Sequence, residues 1–358
     1  MSRVSARGRM AGFALFAIAL AVGVVGANAS RSIVAYNMYP LISDSSAVSA
    51  PLADTSLVNG WGLSASATSP WWTANNKTNT STLYTGVGSK NALTVSVPGG
   101  PTGTVANANT AAFVVSQGSA SSSARFLFDT QAGTIMGWSP TVNGTAAVVA
   151  VDNSSKGAIY DGLATVNDRL YAADFHNARI DSFDASFKPL SLGFSDPKIP
   201  KGWAPFNIQA LNGNLFVTYA QQDPAKKVNV AGGGLGYIDE FTPDGTLVGR
   251  VASKGNARAP LNAPWGLALA PSNFGAYSGD LLVGNFGNGR ISAYQQRAEG
   301  KWVYKGQLRT ANGTPITIDG LWAIGFGNGS SAGPTNNLYF LAGPTGASHG
   351  LFGFIAVG

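Results

Sequence analysis

The chain has 358 residues, of which only 11% are charged and 46 are glycine, a composition that excludes long charged helices and suits many short strands joined by tight turns. Its formal net charge of +6 is thinly spread, which argues against nucleic-acid binding, where basic residues concentrate in a patch. Cysteine is absent, so disulfide frameworks and thiolate metal sites are excluded and burial has to stabilise the fold.

Arg3, Arg7 and Arg9 precede the apolar run AGFALFAIALAVGVVG (11–26), and Ala27–Asn28–Ala29 follows it. A charged segment, a short apolar segment and an A-x-A site together read as a secretory signal peptide over residues 1–29. The apolar run is short for a membrane span, so no span is expected in the mature chain. That chain, residues 30–358, would be exported to the periplasm or beyond the cell. Losing the three arginines takes its net charge from +6 to +3.

IVAYNMYPLIS (33–43) reads as a strand and is followed by a Ser/Ala/Asp-rich link to Asn59. From there a short phrase recurs: Gly60–Trp61–Gly62–Leu63, Pro101–Thr102–Gly103–Thr104, Gly162–Leu163–Ala164–Thr165, Pro205–Phe206–Asn207–Ile208, Pro264–Trp265–Gly266–Leu267 and Leu321–Trp322–Ala323–Ile324. With the second residue of each as marker, the spacing is 41 to 61 residues, a loose period near fifty that belongs to propeller blades rather than helical solenoids. Each phrase is followed by a strand pair: WWTANN with STLYTG, RFLFDT with GTIMGW, LYAADF with RIDSFD, LFVTYA with GYIDEF, DLLVGNF with RISAY, and NLYFLAG with GLFGFIAV. An all-β, six-bladed β-propeller follows. Its sixth blade stops at a third strand, and the strand around Asn37–Ser43 is the natural donor of the missing fourth, which would close the ring and cover its edge. QQDPAKKVNVAGGGLG (221–236) is expected as a long flexible loop and SQGSASSSA (116–124) as a polar connector, the former suited to recognition or to plain solvation.

In blade topology the first strand lines the central channel, and its entry lies on the same face as the second-to-third strand turns. Asn59, Asp161, Asn207, Asn262 and Asp319 then gather at one mouth, with Asn75, Asp129, Asp174, His176, Asn285 and His349 further out. Asp161, Asn207 and Asp319 could hold a hard cation such as calcium; equally, Asp and Asn at strand ends bond nearby backbone N–H groups. Asp174 and His176 are the candidates for moving protons, His176 also reading as a solvated turn residue. Asn59, Trp61, Trp265, Asn285, Trp322 and His349 are the candidate ligand contacts. The three tryptophans could stack a flat ligand or a sugar face, or serve as wedges between blades. DNSSKG (152–157) begins like a calcium loop but has Leu163 where the twelfth-position Glu belongs. No H-E-x-x-H motif is present.

The phrases WGLS…WWTANN…STLYTG (61–86), YAADFHNARIDSFD (171–184), APFNIQ (204–209), PWGLALAPSNFGAYSGDLLVGNFGNGRI (264–291) and DGLWAIGFGNG (319–329) carry a resemblance. The chain resembles an uncharacterised family of secreted bacterial proteins with NHL-like propeller repeats, from about Tyr36 to Phe354. The second blade departs from it, with Ala132 where an acidic residue is expected. The resemblance implies a propeller and export and brings no activity. More distantly the blades are similar to NHL-repeat binding propellers and to calcium-dependent lactonases, whose Glu, Asn and Asp metal cluster matches at most Asp161, Asn207 and Asp319, since Glu240 falls late in its blade. The expected protein is therefore a monomeric binding propeller for a ligand, glycan or partner protein at one channel mouth. The alternative is a calcium-dependent hydrolase of lactonase type, and a third reading is a quinone-type dehydrogenase with its cofactor over an axial tryptophan.

Overall fold

Strand-forming Val, Leu, Ile, Thr and aromatic residues, cut at short intervals by Gly, Asn, Asp and Ser, build a ring of six antiparallel blades. The computed structural model describes residues 1–2, 35–255 and 260–358. Its compact units are Met1–Ile33 and Val34–Gly358. The leader expected at 1–29 lies, beyond Met1 and Ser2, outside the described residues, and the ring belongs to the second unit.

The inner strands of blades one to six are Gly60–Ser64, Pro101–Ala106, Tyr160–Val166, Trp203–Leu211, Pro264–Leu269 and Leu321–Phe326. Second strands such as Trp71–Asn75, Phe126–Thr130, Leu281–Asn285 and Leu338–Ala342 are buried at every position. A middle strand has a neighbouring blade on both faces, so its apolar run is continuous rather than alternating. The buried side chains accordingly cluster in the seams between successive blades, for example Phe113, Leu127, Leu163 and Phe183 between blades two and three. Another cluster runs through Trp61, Phe206, Trp265 and Trp322 on the axis.

In every blade the pairing of inner and second strands slips at the recurring phrase, as between Gly60 and Leu63, Pro264 and Leu267, or Leu321 and Ile324. A bulge re-aims the residue it holds, and here the marker sits in it. The pairing of Tyr160 with Asp174 matches that of Gly60 with Asn75 and Pro264 with Asn285, so the third marker is Asp161, not Leu163. Residues two apart share a strand face, which is why the sequence phrase accommodates either register. The glycine after the marker lets inner strands touch: a Cβ on Gly62 would collide with the Thr102 carbonyl, and one on Gly266 with that of Trp322.

The sixth blade is completed from the other end of the chain. Tyr36–Ser43 pairs antiparallel with Leu351–Val357, from Tyr36 opposite Val357 to Ser43 opposite Leu351, and Leu52–Ala53 adds a short parallel edge. The ring is thus closed by the strand expected to close it. Two connectors differ from expectation. Residues 116–124 belong to a hairpin of Val114–Gln117 with Ala120–Ser123. Within 221–236, Asn229–Val230 pairs back onto Asn214–Gln222, and Asp223 Oδ1 accepts the Lys227 and Val228 N–H groups at 2.7 and 3.0 Å, so the insertion carries its own bracing. No helix among the described residues is long and apolar enough to cross a membrane.

Candidate functional site

Six bulged markers, one per blade, converge on the axis: Trp61, Thr102, Asp161, Phe206, Trp265 and Trp322. Five are aromatic or uncharged and one is an acid. The Trp61 and Trp322 rings stack at 3.6 Å between centroids, and Trp265 stands edge-on to both at 6.2 and 6.1 Å. Phe206 packs edge-on against Trp61 and Trp322, and Phe286 stacks on the other side of Trp322 at 4.0 Å. The tryptophans therefore meet one another and plug the channel, instead of serving as separate wedges in the blade seams.

Above this plug a cavity of about 330 Å³ opens on the face where inner strands begin. Trp61, Asp161, Phe206 and Trp322 lie at its base, with Asn59, Asn76, Gln131 and Phe286 around them. Lys77, Lys227, Val228, Asn229 and Ala347 complete the lining. The 221–236 insertion thus reaches the mouth. His176 Nδ1 lies 3.1 Å from the Lys226 carbonyl and fastens that segment to blade three.

Uncharged polar groups form a relay around the mouth. The Trp322 indole N–H donates to Asn59 Oδ1 at 2.9 Å, Asn59 Nδ2 donates to Asn76 Oδ1 at 3.1 Å, and Asn76 Nδ2 donates to Gln131 Oε1 at 3.1 Å. Gln131 lies beside Asp161. Asn59 holds its place with a left-handed φ of 51°, a conformation that asparagine tolerates better than most residues. At the end of the relay two buried polar atoms have no partner, Asp161 Oδ1 and Trp61 Nε1.

Burial holds the Asp161 carboxyl well above the usual carboxylate range, and the nearby Asp129 and Asp174 charges add to this while Gln131 opposes it. Burial thereby favours the protonated form of Asp161, which can donate a hydrogen bond. Asp129, in the neighbouring blade, is pushed up to about 6, again by burial, against the pull of the Thr102 hydroxyl at 2.8 Å and the Gly103 N–H. It braces the inner strand of blade two, whose Thr102 hydroxyl also lies 2.8 Å from the Tyr160 carbonyl of blade three.

The expected site residues separate into two groups. Asn59, Trp61, Asp161 and Trp322 come together in the cavity, with Trp265 behind them, its indole N–H donating to the Asp161 carbonyl at 2.8 Å. The others are engaged elsewhere. Asn207 spends its side chain on the Trp265 carbonyl and the Ile208 N–H, both at 2.8 Å. Asp319 is exposed and its Oδ2 accepts the Thr345 N–H at 2.7 Å. Asp161, Asn207 and Asp319 do not all line one pocket, and among the described residues no group of three or more His, Asp or Glu is placed to hold a metal ion.

Asp174 braces its turn through the Ile159 and Asn177 N–H groups, each at 3.2 Å, and is bonded to Asn177 rather than to His176. Asn285 accepts the Asn262 N–H at 2.9 Å, the same bracing in blade five. His349 Nδ1 lies 2.9 Å from Asp44 Oδ2 and helps fasten the closing strand. Sequence reasoning passed over Asn76, Gln131 and Phe286, which follow the second strands of blades one, two and five. Their shared position after that strand is the signal that could have found them.

No family model matches the chain. Uncharacterized protein R648 of Acanthamoeba polyphaga mimivirus is 35% identical over 284 residues, covering 75% of this chain and 68% of R648. Uncharacterized protein L690 of the same virus is 33% identical over 307 residues, covering 81% and 79%. Uncharacterized protein R640, also from that virus, is 37% identical over 231 residues; the match covers 63% of this chain and 42% of R640, well under two thirds of its length. These relatives are viral, not bacterial. Among solved structures, a protein of unknown function from Bacteroides thetaiotaomicron superposes with a TM-score of 0.56 at 12% identity, covering 90% of this chain and 76% of the other. A streptogramin B lyase superposes with a TM-score of 0.50 at 10% identity, covering 90% and 97%. At such identities the likeness is one of fold alone.

Proposed function

This chain belongs to the family of the mimivirus proteins R648 and L690, and from that premise we propose that it is a binding propeller whose ligand seats in the axial cavity beneath the 221–236 insertion. The observation that carries this is that Asp161 and Trp61, each with a buried polar atom that has no partner, both line one cavity. Leaving a buried polar atom unpaired costs about 1–3 kcal/mol, a cost that a ligand bonding to both would recover. A hydrolase would need a base, a nucleophile or a metal cluster at the same place. The cavity base offers one buried acid among aromatic rings.

Tryptophan fluorescence reads this site directly, because Trp61 and Trp322 form its floor. A diverse small-molecule library screened by fluorescence and thermal shift should yield compounds whose effect disappears in Trp61→Phe. Hits that are unaffected by that substitution and by Trp322→Phe would refute the axial site. The proposal also takes residues 1–29 as a leader removed on export and the mature propeller as a monomer. The intact mass of protein recovered from the periplasm or medium of an expressing cell, together with light scattering, tests both.

A further inference from the structure

We propose that the axial cavity is a saccharide site, in which an uncharged sugar ring lies against the aromatic column and its hydroxyls bridge Trp61 Nε1 and the Asp161 carboxyl. This rests on the cavity being the ligand site. The column is continuous, with Phe286, Trp322 and Trp61 stacked in turn at 4.0 and 3.6 Å. Phe286, the half-buried end of the column in the cavity lining, is the ring left to meet the C–H face of a pyranose at small entropic cost. An indole N–H can only donate, whereas a protonated carboxyl can donate and accept. A hydroxyl does both, so vicinal hydroxyls match this pair, whereas a metal ion finds no lone pair at the indole N–H.

The surroundings favour a neutral ligand. The polar relay from Asn59 through Asn76 to Gln131 is made of uncharged amides, and it already spends its inner donors and acceptors on itself. What remains at its end is Gln131 beside Asp161. The groups facing Asp161 are Asp129 and Asp174 from the strands packed beside it and, at the cavity rim, the exposed Lys77 and Lys227. Two buried acids behind the pocket floor oppose an anionic ligand there. About 330 Å³ is at the lower end of the roughly 300–1,000 Å³ of small-molecule sites, a size for one or two sugar rings.

The test titrates the full chain with methyl glucoside, methyl mannoside, methyl N-acetylglucosaminide and methyl cellobioside, followed by calorimetry and tryptophan fluorescence, with citrate, calcium and caffeine as controls of other classes. At least one glycoside should bind and perturb the fluorescence. Asp161→Asn, whose amide still donates, should bind within a few-fold of the parent. Asp161→Ala should bind about 10-fold more weakly, one lost buried hydrogen bond, and Trp61→Phe likewise. Thermal melts of each variant separate misfolding from lost contacts. Binding of citrate, calcium or caffeine in a manner dependent on Trp61 and Asp161, with no glycoside bound, would overturn the saccharide assignment and keep the site. Glycoside binding indifferent to all three substitutions, or no Trp61-dependent binding by any class, would overturn both.

Discussion

Replacing Tyr36 tests whether the closing strand holds the ring together. Tyr36 is 1% exposed, its hydroxyl donates to the Phe274 carbonyl at 3.0 Å, and its ring lies 5.1 Å from Phe274 and 5.9 Å from Tyr277. Its own N–H donates to the Arg309 carbonyl at 2.9 Å while its residue pairs with Val357. One side chain thus fastens the borrowed strand of blade six to blade five. Burial pushes its hydroxyl up to about 12, so it stays a donor throughout the neutral range. Tyr36→Phe leaves the Phe274 carbonyl without its hydroxyl donor and should cost about 1–3 kcal/mol. Tyr36→Ala removes the ring as well, and should cost about 3–5 kcal/mol. At about 2–4 °C per kcal/mol for a large domain, the alanine variant should melt about 6–20 °C lower. Tyr39→Ala is the control: on the same strand but 44% exposed, stacked on Phe354 at 4.8 Å, it should cost under about 1 kcal/mol. Thermal scans by far-ultraviolet circular dichroism at two heating rates separate equilibrium from kinetic loss. If Tyr36→Ala and Tyr39→Ala melt together near the parent, the strand does not close the ring as described.

Burial of Asp129 makes stability depend on pH: its folded value near 6 lies above the ordinary one near 4, so the folded state binds the proton more tightly. Its contribution is fully present below about pH 4 and is lost as pH rises through about 6, a difference of about 3 kcal/mol; Asp129→Asn should flatten that part of a urea midpoint against pH profile, and an unchanged slope would exclude Asp129 as its source. Gly266→Ala drives a Cβ into the Trp322 carbonyl and should cost about 1–3 kcal/mol by urea denaturation, whereas Gly249→Ala, with open space around it, should be within about 0.5 kcal/mol of the parent. Arg250 bonds both Asp196 and Asp239, two buried acids, and lies over the Tyr237 ring at 4.8 Å. Arg250→Ala should therefore cost about 3–5 kcal/mol, and a triple variant that also carries Asp196→Asn and Asp239→Asn should recover a measurable part of it.

The six blades were legible because a blade is written locally. A bulge phrase, a buried second strand and a polar turn recur in each, and every one of these is set by residues close in sequence. Ring closure was legible too, since a sixth blade lacking a strand and a spare strand near Tyr36 leave one economical pairing. The marker in blade three was not: Leu163 and Asp161 share a face, and only the pairing of Tyr160 with Asp174 distinguishes them. Asn207, Asn285, Asp174 and Asp319 carry the residue types of a site, yet their side-chain oxygens bond backbone N–H groups close by. Composition does not reveal that expenditure.

What the sequence by itself determined is the order and number of blades, because strand periodicity and turn chemistry act over a few residues. Which side chains face one another across the axis was decided by the tertiary structure. Trp61, Asp161, Phe206 and Trp322 come from four blades and from positions far apart in the chain, and their meeting depends on the bulge in each inner strand and on the small spacing that Gly62 and Gly266 permit. The unpartnered oxygen of Asp161 is a property of that meeting, since burial among those neighbours is the main cause that raises its affinity for a proton.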